Sequence, residues 1–141
     1  KSLHHVPMPA MAQALAEVAR VVRPGGYLYI SEPVFDGALN HVTRLYNDEQ
    51  VVRAAAQAAI DSALGTGNWT LAAERRFAVP SRFDDFAAFE QRMIRQTYAD
   101  HQLDAATMAE VRKRFEAHCG PDGAVVFEQP MHVRMLRRSG G

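Results

Sequence analysis

Two histidines stand side by side near the start of the chain, His4 and His5. Imidazole suits general-base work, because its unperturbed pKa of about 6.5 lets it take and return a proton near neutral pH. As a metal pair the two are poorly arranged, since adjacent side chains on an extended segment point to opposite sides. His41, His101, His118 and His132 are scattered without ligand spacing. No metal centre is expected. Glu32, which precedes Pro33, is a second candidate base, provided that burial raises its pKa. Cys119 is the only cysteine, which excludes an intrachain disulfide and fits a reducing, cytoplasmic compartment. Its neighbour His118 does not activate it, because adjacent residues on a helix do not face each other. Gly65-Thr66-Gly67 follows a helical pattern and precedes a strand pattern, the reverse of the order a cofactor-cradling loop requires, and Gly25-Gly26 fails for the same reason.

The background against which these residues sit is ordinary. The chain has 141 residues, 48% hydrophobic and 23% charged, enough for one domain with a buried core. Sixteen basic residues balance sixteen acidic ones, so no net field draws nucleic acid or an anionic membrane. Arg75-Arg76, Arg112-Lys113-Arg114 and Arg137-Arg138 lack interleaved aromatics and read as solvated faces. No apolar run approaches the roughly 20 residues of a membrane span. Lys1 is not an initiating Met, and the chain opens on Ser2-Leu3-His4-His5 with no element before it. A chain cut partway through a fold is expected.

The elements that must hold the candidate residues follow from periodicity. Met11, Leu15, Val18 and Val22 form one stripe of a helix from Pro9 to about Arg23, stopped by Pro24-Gly25-Gly26. Tyr27–Pro33 reads as an interior strand of a parallel sheet, apolar on both faces until Ser31. A short helix is expected over 38–45. Asn47 and Gln50 then cap a long helix with Val51, Ala55, Ala58, Ala59 and Ala63 inward and Gly65 as its stop. Trp69, Leu71, Ala73, Phe77 and Val79 alternate as in a strand with one buried face. Ser81 and Asp84 make a capping box for a third helix carrying Phe86, Phe89, Met93 and Thr97, and Asp104 with Met108 opens a fourth through Val111 and Phe115. The last strand, 125–137, turns Val125, Phe127, Met131, Val133 and Met135 to one side, with Pro130 signalling an edge or a bulge. The order predicts a mixed α/β fold: a parallel crossover, then an antiparallel terminal pair, 69–79 with 125–137, split by a helical insertion over 81–120.

The opening Leu3-His4-His5, followed by Leu15-x-Glu17-x-x-Arg20-Val21-x-Arg23-Pro24-Gly25-Gly26-x-Leu28-x-Ile30, resembles class I S-adenosylmethionine-dependent methyltransferases. It is similar to the end of their fourth strand, their fourth helix and their fifth strand. The resemblance is strongest over residues 1–33 and runs on to the end, where such families finish with a sixth strand, an insertion and an antiparallel seventh strand. It implies the C-terminal half of a doubly wound, Rossmann-like methyltransferase sheet. The activity implied is methyl transfer from S-adenosylmethionine to a small-molecule acceptor. By position, Ser2, Leu3 and His4 would flank the cofactor, His5 or His4 would face the line of methyl transfer, and Glu32 and Pro33 would border the substrate cleft. The Gly-rich loop and the ribose-holding acidic residue of the family have no counterpart here, so this segment alone is expected to be inactive.

Inserted helices commonly cover a cleft as a lid, which makes 81–120 the expected determinant of substrate choice and Arg95 and Tyr98, with Arg92 and His101, its candidate contacts. Two other readings stay open. One is a non-catalytic binding or oligomerising half-domain of the same fold, whose exposed first strand edge pairs with a second copy in a homodimer. Mass in solution separates it from the first. The other is half of a nicotinamide dehydrogenase, against which the antiparallel last strand and the Leu3-His4-His5 context count.

Overall fold

The computed structural model describes residues 3–96 and 101–140. They fall into two compact units: Lys1–Phe35 with Glu49–Ala78 and Pro130–Gly141, and Asp36–Asp48 with Val79–Gln129.

In the first unit Leu3–His5 form a single 3-10 turn rather than the end of a strand. The reason lies in the backbone groups of Leu3. Its carbonyl accepts from Val6 N–H at 2.9 Å and its own N–H donates to Glu32 Oε1 at 2.9 Å, so neither is offered to a ladder. A second 3-10 turn, Met8–Ala10, absorbs Pro9 and leads into α1, Met11–Val21. Met11, Leu15 and Ala19 are its buried stripe, with Val18 and Val22 packed at the margin. Gly25 then takes a φ of 78°, and a Cβ on Gly26 would stand 2.8 Å from Val22 Cγ1 and 2.9 Å from the Arg23 carbonyl oxygen. The turn is tied to the far end of the chain: Gly25 N–H donates to the Arg138 carbonyl at 2.9 Å, and Arg138 N–H to that of Gly26 at 2.8 Å.

The turn delivers β1, Tyr27–Pro33, which pairs antiparallel with β3, Val125–Arg138, in a register running from Tyr27 opposite Arg137 to Pro33 opposite Met131. The three-stranded sheet has the order β1-β3-β2, with β2 spanning Trp69–Phe83. Contacts of Thr70 with Arg137 and of Glu74 with His132 step in opposite directions, so β2 and β3 are antiparallel, as expected from their sequences. The expected parallel crossover is not seen: the described sheet is antiparallel, and β1 has β3 as its neighbour.

Two inward faces differ from expectation. On β3 the buried positions are odd through Phe127 and Met131, then even at His132, Arg134 and Leu136, while Met135 is exposed. The change of parity beside Pro130 marks an irregularity in a central strand, not an edge, and the Pro130 carbonyl accepts from Val34 N–H at 2.9 Å. On β2, residues 70–78 are all exposed, Leu71 and Phe77 included, so the expected buried face is not seen there. Helix α3, Gln50–Gly65, starts after Glu49 rather than Asn47, and it has no side-chain cap. It buries Ala56, Ile60 and Ala63, leaving Val51 in solvent, because Ile60 offers more apolar surface to the core than the expected alanine stripe.

The second unit holds α2, Gly37–Thr43, capped by Asp36. It also holds α4, Phe86–Phe89, which continues as a π turn over Glu90–Ile94, and α5, Ala105–Glu116. Asp104 caps α5 as expected, accepting from Thr107 N–H at 2.7 Å. Ser81 lies inside β2, so α4 is capped instead by Asp85, from Ala88 N–H at 2.7 Å. The core of this unit is aromatic: Phe115 meets Phe89 at 5.0 Å between centroids and Phe86 at 5.5 Å, with Phe83 and Phe127 completing the cluster. No helix among the described residues is long and apolar enough to cross a membrane.

The crowding at Gly26 gives a direct test. Gly26→Ala should cost this chain about 1–3 kcal/mol in urea unfolding, because the new methyl meets a backbone oxygen that cannot move alone. A loss under about 0.5 kcal/mol would show that the turn relaxes freely.

Candidate functional site

Along β1 the inward positions are Leu28, Ile30 and Glu32, so the alternation that builds the core also drives a carboxylate into it. Glu32 is 2% exposed. Burial of that kind demands partners, and the 3-10 turn supplies them: the Leu3 N–H donates to Oε1, and His4 Nδ1 pairs with Oε2. Leu3 fixes the turn by packing into the core with Leu15, Ile30 and Leu136. His4 is therefore buried, while His5, the next residue, is exposed with its ring centroid 4.0 Å from that of His4, tilted by 43°.

Of the expected site residues, Leu3, His4, His5, Glu32 and Pro33 come together at one end of β1. Leu3, Val6, Leu28, Ile30 and Glu32 line an apolar crevice of about 250 Å³ in the same unit. Arg95 belongs to the second unit, where its guanidinium pairs with Glu90 at 2.6 Å and borders a cavity of about 450 Å³ with Ile94, His101 and Met108. Ser2 and Tyr98 lie outside the described residues.

Other titratable groups are poorly suited to chemistry. Burial pushes the Tyr46 hydroxyl well above the usual phenol value. Burial, with the carboxylates of Glu116 and Asp122, likewise raises the Cys119 thiol, which leaves little nucleophilic thiolate.

Sequence reasoning missed three things. The Glu32–His4 pair was signalled by an acid at the inward parity of an apolar strand. Glu49 was not foreseen as a neighbour: one donor atom each from His4, His5 and Glu49 lie within 4.8 Å of one another. A polar network was missed as well, in which His132 contacts Gln57 Oε1 and Glu74 Oε2, each at 3.0 Å, and Arg134 reaches Asp61 and Gln57.

A cofactor of the kind implied by the resemblance finds one margin of a site here. The crevice and the turn can border it. Among the described residues the positive-φ glycines are Gly25, Gly37, Gly67 and Gly123, and only Gly37, the first residue of α2, stands in strand-to-helix order, so no Gly-rich strand-to-helix loop among the described residues supplies the rest.

Comparison with known proteins agrees with this geometry. Residues 1–30 match the family model described as a methyltransferase domain. A Bacillus halodurans protein of solved structure, assigned as a methyltransferase, superposes with a TM-score of 0.58 over 99% of this chain and 67% of its own, at 14% identity. At that identity the likeness is one of fold. No curated protein matches. The family match over residues 1–30 carries the resemblance to a methyltransferase domain, and the structural match adds likeness of fold.

The buried pair can be tested by stability. Glu32→Ala leaves the Leu3 N–H and His4 without an acceptor and should cost about 3–5 kcal/mol in urea unfolding. A variant as stable as the parent would mean that the carboxylate does not hold the turn.

Proposed function

We propose that this chain is the acceptor-facing half of a doubly wound methyltransferase sheet. The whole protein transfers a methyl group from S-adenosylmethionine to a small-molecule acceptor in a reducing compartment such as the cytoplasm. One observation carries the reading. In the segment that matches the methyltransferase-domain family, residues 1–30, His4 is buried and pairs with Glu32 just beyond the segment's end, at the carboxyl end of β1, and the exposed imidazole of His5 lies tilted against His4. Ligands of open α/β sheets bind at that end of the strands.

The methyl donor supplies a sulfonium whose departure as a neutral thioether makes the transfer favourable, so the protein's own part is orientation and proton removal. Ser2, Leu3 and His4 border the donor. Glu32 and Pro33 border the acceptor. His4, held by Glu32, gives His5 a fixed ring to rest on. His5 draws off the acceptor's proton as the new bond forms.

A second reading is favoured by one feature, the terminal place of β1 in the sheet. A strand edge of this kind can pair with a second copy, making the segment a non-catalytic, oligomerising half-domain.

Calorimetric titration of the full-length gene product with S-adenosylmethionine separates the two. Binding is expected, and His5→Ala should lower turnover by about 10²–10⁴-fold without loss of donor affinity. A full-length protein that binds no S-adenosylmethionine, and this chain sedimenting as a dimer, would establish the second reading in place of the first.

A further inference from the structure

Adjacent histidines are excluded as a ligand pair only where the backbone is extended, and the 3-10 turn removes that exclusion by bringing both rings to one side, 4.0 Å apart. A third donor arrives from elsewhere in the chain. Glu49, at the N-cap of α3, takes part in a cluster whose donor atoms, one each from His4, His5 and Glu49, all lie within 4.8 Å of one another. We infer that His4, His5 and Glu49 bind a divalent first-row cation such as Zn²⁺.

Two features beyond proximity support the site. Metal-ligating imidazoles almost always give their other ring N–H to a carboxylate or carbonyl, which fixes the tautomer and makes the ligand nitrogen more basic. His4 has this arrangement through Nδ1 and Glu32, which leaves Nε2 as the nitrogen with a lone pair to give. Glu49 is also oriented: the Arg53 contacts fall on Oε2, one of them at 2.8 Å from Nε, which aims the carboxylate and leaves Oε1 as its ligand oxygen. His132 shows the contrast, for both its nitrogens are engaged, by Gln57 and Glu74.

The donor set chooses the cation. Two imidazoles and one carboxylate suit zinc and its neighbours, whereas calcium and magnesium prefer oxygen. Charge is favourable despite Arg53, because the carboxylates of Glu49 and Glu32 outnumber its one positive charge. Closing donors that are 4.8 Å apart or less to bonds of about 2.0–2.2 Å takes small rotations, which the exposed ring of His5 can make. Three protein ligands leave a coordination position open. If the tip of β1 faces a methyl acceptor, as proposed above, an acceptor hydroxyl bound there would lose its proton at lower pH. His5 would then act as a ligand in place of a free base. That role rests on the methyl-transfer reading, whereas the binding of the cation does not.

The test is calorimetric titration of this chain, freed of metal by a chelator, with Zn²⁺. One equivalent should bind, and His5→Ala and Glu49→Gln should each weaken it by at least about tenfold, as should Glu32→Gln, within about 10–100-fold, through the orientation of His4. His118→Ala with Cys119→Ser should leave binding unchanged. His5 and Glu49 lie toward the surface, so their variants should keep the parent's far-ultraviolet circular dichroism, and either one alone keeps the test intact. Absence of Zn²⁺ binding, or binding indifferent to both variants, overturns the inference. Zn²⁺ bound through His5 and Glu49 upholds it even where the full-length protein binds no S-adenosylmethionine, the outcome that defeats the methyl-transfer reading alone. Full turnover in the presence of chelator would leave methyl transfer standing and overturn the cation's part in it.

Discussion

A carboxylate buried as deeply as that of Glu32 is stable only if its oxygens meet donors. Two of them come from one short segment, the Leu3 N–H and His4. The pairing therefore does more than neutralise a group. It decides that Leu3–His5 will be a turn, because a backbone N–H given to Glu32 is not available to a neighbouring strand. With the turn set, Leu3 enters the core, His4 is withdrawn from solvent, and His5 is left outside with its ring against that of His4. One buried acid thus organises the strand tip, the turn and the exposed imidazole.

The frame that holds this tip is β3. Its residues from Met131 to Arg137 pair with β1, and its end is stitched to the Gly25-Gly26 turn by two backbone hydrogen bonds. The Arg138 guanidinium adds contacts to the Ala19 carbonyl at 2.8 Å and the Asn68 carbonyl at 3.1 Å, joining the end of α1 to the start of β2. A tight turn with a φ available to glycine is what lets α1 double back onto β1 within these constraints. The register of β1 then determines that Glu32 points inward, since a slip of one residue would turn Ser31 to the core in its place.

Much of this was legible in the residues. The stripe of α1, the Pro24-Gly25-Gly26 stop, the strand at 27–33, the cap at Asp104 and the antiparallel pairing of the last strand follow from local patterns that tertiary contacts do not oppose. What was not legible depends on neighbours. The alternation of β2 is present in the sequence, but neither face of residues 70–78 is covered by another element. On β3 the parity reading failed beyond Pro130, because periodicity assumes an unbroken pleat. The alanine stripe of α3 is kept in part, with Ala63 buried and Ala55 and Ala59 packed against the core, while Ile60 and Ala56 join it and Val51 does not. At the site itself, the inward parity of Glu32 was visible, but its partner depended on a turn where a strand was expected.

The first unit contains two buried histidines, and their surroundings give them different capacities. His132 sits between Gln57 and Glu74, with Arg134 sharing the Gln57 amide oxygen, so both ring nitrogens are committed to holding α3 and β2 against β3. The arrangement is tight enough that Gln57 Nε2 is left buried without a partner among the described residues. A ring engaged at both nitrogens can stabilise, but neither nitrogen is left over for a ligand. His4 has its Nδ1 committed to Glu32 and stands beside an exposed ring and a carboxylate. A buried histidine held at one nitrogen is oriented without being consumed. That asymmetry, more than the mere presence of imidazole, is what distinguishes the ring at the tip of β1 from the one in the interior of the sheet.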